Sequence, residues 1–199
     1  MTESPHEMNI EKLEKAARSH HMATEAIVDR IINNDKYKPK SFPVIVKKGN
    51  EPICIIDASS KQTPNADFIE AYITMASFSL ELKIKLILAI EKGKFERGHK
   101  LMPLYESLSS ESKTHIQEKT REITKPSEWH KSIAKAINEK FKIQFAWEPR
   151  KLISNSSEAF EKWRYHFEEN NKTTWFAGYS ELQEAINSRI EQLKRVESN

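Results

Sequence analysis

Cysteine occurs once and glycine only four times in 199 residues, and neither acidic nor basic side chains dominate. Each scarcity excludes a class of protein. The lone Cys54 cannot close an internal disulfide, and its neighbours Ile53, Ile55 and Ile56 predict a buried thiol, which fits a reducing cytoplasm. The glycines Gly49, Gly93, Gly98 and Gly178 are scattered, so no Gly-rich phosphate loop is present. There is no HExxH, no paired CxxC and no serine or cysteine nucleophile motif, and neither a metal nor a cofactor is expected. No apolar run reaches the roughly 18 residues that would cross a bilayer, and the polar, acidic stretch from Met1 to Glu14 is unlike a secretory signal. A cytoplasmic protein without a membrane partner is the expectation. With 32 basic and 29 acidic residues intermixed, the net charge of +3 creates no field of one sign; nucleic-acid binding is permitted but not indicated.

What the chain does contain is helical periodicity. From Phe68 to Glu91, Ile69, Tyr72, Ile73, Ala76, Leu80, Ile84, Ile87 and Leu88 recur at steps of three and four, the spacing that gathers side chains on one helix face. Phe78, Leu82, Leu86 and Ile90 widen that face, predicting a helix enclosed by others, with charge confined to a few positions such as Glu81, Lys83 and Lys85. Gly93 supplies a C-cap. A first helix is predicted from Ile10 to Ile32 on Leu13, Ala16, Ala17, Ile27, Val28, Ile31 and Ile32. Between the two, Ser41 to Asp57 reads as two β-branched runs about the turn Lys47 to Pro52, a small inserted β-hairpin.

Further helices follow. Leu101, Leu104, Tyr105 and Leu108 predict a short one, Ser109 caps one holding Ile116 and Ile123, and Ser127 caps one whose ridge is Trp129, Ile133, Ile137 and Phe141. Asn155 or Ser156 is expected to open a helix bearing Ala159, Phe160, Trp163 and Phe167, and Ser180 to open the last, with Lys194 and Arg195 at its C-terminal dipole. The final third concentrates aromatic residues, which either fill a core or stack on bases. One domain of this length buries roughly 70% of its unfolded surface.

Two stretches carry a resemblance. The run Ser79 to Leu86, followed by Gly93-Lys94-Phe95, Gly98-His99-Lys100-Leu101 and Leu104 to Leu108, resembles the signature of bacterial HEPN-type helical proteins, in which a helix of the form SLELxLKxxL precedes a Gly-His and a short helix. Ile84 and Tyr105 replace the usual leucine and phenylalanine. The segment Ala159 to Tyr165 is similar to the Trp-Arg-Tyr segment of one branch. About a third of the chain is covered. The resemblance implies a mainly α, antiparallel helical bundle, a homodimer, and a role in toxin-antitoxin systems, phage defence or stress response. Many members are endoribonucleases that use an arginine and, four to six residues on, a histidine at a dimer cleft. A histidine moves the proton there, and an arginine offsets phosphorane charge.

The chain departs from that motif. None of His20, His21, His99, His115, His130 or His166 has an arginine at the required distance upstream. Substitutes are Arg97 before His99, and Arg164 before His166, whose side chains on a helix point about 200° apart. The candidate catalytic residues are therefore Arg164, His166 and His99, and the candidate binding residues Arg164, Trp163, Tyr165 and His99. His99 reads first as a helix cap or a donor to a backbone group. Arg164 reads as a buried ion pair with Glu81, Glu161 or Glu168, or else as a phosphate or nucleotide anchor. His20 and His21 point about 100° apart and cannot share a metal. The expected function is that of a non-catalytic HEPN-like homodimer binding a protein partner, a nucleotide or RNA; the alternative is a metal-independent endoribonuclease.

Overall fold

The computed structural model describes residues 9–32, 46–48, 51–54, 66–94, 97–141, 144–157 and 178–197. The chain is mainly helical. Helix α1 spans Ile10–Ile32, the strands β1 Val46–Lys48 and β2 Glu51–Cys54 follow, and then come α2 Ala66–Lys92, α3 Leu101–Glu106, α4 Ser110–Thr124, α5 Glu128–Phe141, α6 Pro149–Ser156 and α7 Tyr179–Glu197. The strands pair antiparallel, Val46 opposite Cys54 and Lys48 opposite Glu51, with an irregularity after Val46. The rest of the expected span from Ser41 to Asp57 lies outside the described residues.

The organising element is α2, about 40 Å long at 1.5 Å per residue. It packs against α1, α7 and α3, while α4 lies against α7 and α6 against α3 and α4. Its apolar residues Ile73, Ala76, Leu80, Ile84 and Ile87 are completely shielded from solvent. They form one continuous core with Val28 of α1, Leu104 of α3, Ile116 of α4, Ile137 of α5, Leu152 and Ile153 of α6, and Leu182 and Ile186 of α7. Each such isoleucine or leucine contributes roughly 1.5–3 kcal/mol by leaving water.

The helix ends have local causes. Asn9 accepts from the Lys12 amide at 2.8 Å and so opens α1. Gly93, at φ 67°, closes α2 and returns its amide to Ala89 O at 2.9 Å. Ser109 accepts from Ser112 N at 3.0 Å and Ser127 from His130 N at 3.4 Å, the two caps predicted for α4 and α5. Of the ridge expected on α5, Ile137 is buried; the side chains of Trp129, Ile133 and Phe141 lie outside the description.

One element was not expected. Asn155 and Ser156 belong to the last turn of α6, which begins with Pro149 at its first position, while the helix expected to follow them, bearing Ala159, Phe160, Trp163 and Phe167, lies outside the described residues. Proline there costs nothing, because the missing N–H would have no partner in the helix, and Leu152 with Ile153 buries the inner face. Gly178 leads into α7 at φ 76°, and a β-carbon there would sit 2.6 Å from Leu152 Cδ1. Gly178→Ala should therefore lower stability by about 1–3 kcal/mol through the left-handed backbone and the displaced core leucine. A shift in urea midpoint measures it.

Candidate functional site

Five polar residues of α2, namely Ser77, Ser79, Glu81, Lys83 and Lys85, are buried within its otherwise apolar length. Residues two apart on a helix project about 200° from one another, so the five fall into two opposite ridges, Ser77-Glu81-Lys85 and Ser79-Lys83. Buried charges are costly unless bonded. Each ridge answers that cost with a different neighbour.

On the first ridge the Glu81 side chain is 1% exposed and accepts from Lys85 Nζ at 2.6 Å. His99 Nδ1 reaches both carboxylate oxygens at 3.1 Å. Glu81 lies eleven residues before Lys92, about 17 Å back along the axis, a distance the segment from Gly93 to His99 can span. Gly93 and Gly98, the latter at φ 134°, supply the turns that a side chain would resist. Half of the His99 ring stays exposed. The expected cap is not what His99 does: the first amides of α3 go to Ser157, Leu101 N to its carbonyl at 3.2 Å and Met102 N to its hydroxyl at 2.9 Å. His99 instead secures a loop to the middle of α2.

The second ridge faces α1 and α7. Lys83 Nζ donates to Gln183 Oε1 and, at 2.7 Å, to Asn187 Oδ1. Burial pushes its ammonium down to about 7, and the Glu25 carboxylate offsets only part of that. Beside it, His21 Nδ1 and the Tyr179 hydroxyl bond at 3.0 Å, and that hydroxyl donates to Ser79 Oγ at 3.3 Å. Burial, followed by repulsion from Lys83, lowers His21 to about 4, so its ring is neutral at physiological pH. Burial raises Tyr179 to about 12 against the bonds from Ser79 and Thr24.

The remaining described histidines have separate partners. His20 packs on Phe78 and contacts Met75 Sδ. His115 Nε2 bonds Ser188 Oγ at 3.0 Å. His130 Nε2 pairs with Glu181 at 2.9 Å, both nearly inaccessible, while Trp147 Nε1 donates to the His130 carbonyl at 2.8 Å. Arg189, 3% exposed, is divided among Ser112, Glu111, Gln192 and Glu91. Burial would push Glu91 up, but bonds from Ser109, Ser112 and Arg189 outweigh it and hold the carboxyl below its ordinary range.

Among the described residues no group of three or more His, Cys, Asp or Glu could hold a metal ion, and no helix is long and apolar enough to cross a membrane. Trp163, Arg164, Tyr165 and His166 lie outside the described residues, so His99 is the one predicted site residue placed here. Sequence reasoning missed Lys83, Gln183 and Asn187. The signal was present: a lysine two residues after a glutamate on a helix apolar all round must be buried on one side or the other. Set against protein family models, curated proteins and solved structures, the chain matches none.

Proposed function

We propose that the chain is an atypical HEPN-like helical protein, a bundle with an inserted β-hairpin, that works as a non-catalytic homodimer. In this reading it binds a nucleotide or RNA, or a protein partner, in bacterial defence or stress response. The observation that supports it is the convergence of Lys85 and His99 on the buried Glu81 carboxylate, three positions of the signature resembled. Those residues thereby have a structural task, joining the Gly-His loop to the central helix. A phosphodiester-cleaving site needs a proton-transferring histidine beside an available cation. The buried Arg189 is enclosed by acceptors and so is not available in that sense.

A second reading, a metal-independent endoribonuclease, draws on the same contacts. A buried carboxylate gripping Nδ1 of a half-exposed imidazole is how a histidine is oriented for proton transfer. The purified chain, incubated with total RNA in chelator beside His99→Ala and Arg164→Ala/His166→Ala variants, separates the two. Intact RNA in every lane, with a retained RNA or nucleotide in a filter-binding assay, is the expected result. Cleavage by the parent chain that either variant abolishes would replace the binding reading with the enzymatic one.

A further inference from the structure

We propose that Lys83 and Gln183, at the seam of α1, α2 and α7, form a binding site for a small oxyanion, a carboxylate or phosphoryl group. Lys83 is 5% exposed, and its two bonding partners, Gln183 and Asn187, are both neutral amides. Among the described residues no carboxylate stands within ion-pair distance of it, whereas Lys85, two residues on, has Glu81. A buried ammonium whose only bonds are to amide oxygens, with the exposed Glu25 carboxylate acting on it from beyond ion-pair distance, is only partly compensated for its lost hydration.

The second observation is Gln183 itself. It is 6% exposed, and while its Oε1 faces Lys83 its Nε2 is buried with no hydrogen-bond partner. Buried amide N–H groups almost always find acceptors, so an unsatisfied one beside a partly compensated cation defines a donor pair in want of an acceptor-rich ligand. An oxyanion supplies two or more acceptor oxygens and a negative charge together. Asn187 and His21 are only half-buried and Glu25 is exposed, which places the edge of the seam at the surface between α1 and α7.

Proton linkage gives the site a signature. Lys83 feels the Glu25 carboxylate and acts on His21, both of α1; His21 bonds Tyr179 of α7, which packs edge-on against Tyr72 of α2, and Tyr72 lies in the field of Glu181, itself paired with His130 of α5. His21 gains its proton only near pH 4 and Tyr179 loses its own near 12, leaving Lys83 as the one of these three that changes charge between pH 6 and 8.5. Anion binding favours the charged amine, so affinity should fall about thirtyfold over that interval, as the cationic fraction of an amine with a pKa near 7 does. The Glu25 carboxylate opposes an incoming anion. The site shares no residue with the Glu81–His99 knot and does not rest on the HEPN-like reading.

The test is calorimetric titration of the full chain with sulfate, acetate and AMP at pH 6 and pH 8.5, in two buffers of different ionisation enthalpy. Sulfate and acetate keep their charge across that range, and the arms distinguish phosphoryl-like from carboxylate recognition. Binding of at least one probe with proton uptake is expected, weakened about thirtyfold at pH 8.5 and lost in Lys83→Met. Gln183→Leu should weaken it several-fold, Glu25→Gln should strengthen it, and His99→Ala should leave it unchanged. No binding of any probe at millimolar concentration would overturn the proposal, as would affinity independent of pH in the parent chain, a result that needs no variant to fold.

Discussion

Glu81→Ala should lower the free energy of unfolding by about 3–5 kcal/mol, the range seen when one member of a buried ion pair is removed. The loss comes less from the missing attraction than from what stays behind: Lys85, 10% exposed on its side chain, loses a carboxylate at 2.6 Å. His99 loses both of its bonds to that carboxylate, so the connection between α2 and α3 loosens at the same time. Two companions identify the cause. His99→Ala alone should cost much less, because a half-exposed ring exchanges the carboxylate for water. Glu81→Leu/Lys85→Met should recover most of the loss, since apolar replacements of similar volume remove both desolvated charges together. Urea denaturation of the four proteins at one pH provides the comparison; a double variant no better than Glu81→Ala would show that shape rather than charge is at stake.

Stability should also climb with pH through a range in which most proteins are level. Unfolded, Lys83 titrates near 10.5; folded, near 7. Between those values the unfolded chain holds a proton that the folded chain has released, so raising the pH favours folding. Below about 7 both states are protonated, and the penalty of the buried ammonium is present in full. The rise between pH 7 and 9.5 should be about 3 kcal/mol, at 1.36 kcal/mol per unit. His21 adds a separate rise between about 4 and 6.5, because its folded form refuses a proton that the unfolded chain accepts. Above about 10 the trend reverses: Tyr179, held near 12, keeps its proton while the unfolded phenol gives its own away. Urea midpoints from pH 4 to 11 should therefore show two rising legs and a fall. Lys83→Met should flatten the middle leg and leave the His21 leg in place. A flat profile in the parent chain between 7 and 9.5 would mean that Lys83 is hydrated in solution.

The helices were readable wherever apolar spacing was strong. The limits of α1 coincide with the predicted Ile10 and Ile32, and α2 closes at Gly93 because that glycine adopts the backbone that ends helices. Ser109 was readable as a cap because capping is a local bond. The short α6 was missed since eight residues hold too few repeats to establish a period, and its serine and asparagine resemble cap residues whichever end they occupy.

The sites were legible only in part, for a physical reason. Glu81 and Lys85 share a ridge by their spacing, but that His99 turns back to them depends on two glycines and a loop path, which no periodicity encodes. Lys83 meets Gln183 and Asn187 across a hundred residues of chain, and nothing in the amphipathic pattern of α7 marks its two amides as partners of a lysine. What sequence offered was the oddity itself, charged residues on a helix with no polar face. The positions that carry the Trp-Arg-Tyr resemblance lie outside the described residues and stand as proposed.

The carboxylate of Glu91 gives α4 a dependence on distant chain. That helix has few apolar residues, and at its start Glu91, from the last turn of α2, accepts from both the amide and the hydroxyl of Ser109 and from the Ser112 hydroxyl. A negative group at a helix N-terminus offsets the partial positive charge of its open amides. Here that group is loaned by another helix, and Arg189 of α7 fastens the loan. Nucleating a helix in isolation is unfavourable, and α4 has little propensity or apolar surface of its own to overcome that. It should therefore be among the first elements to open when either α2 or α7 shifts.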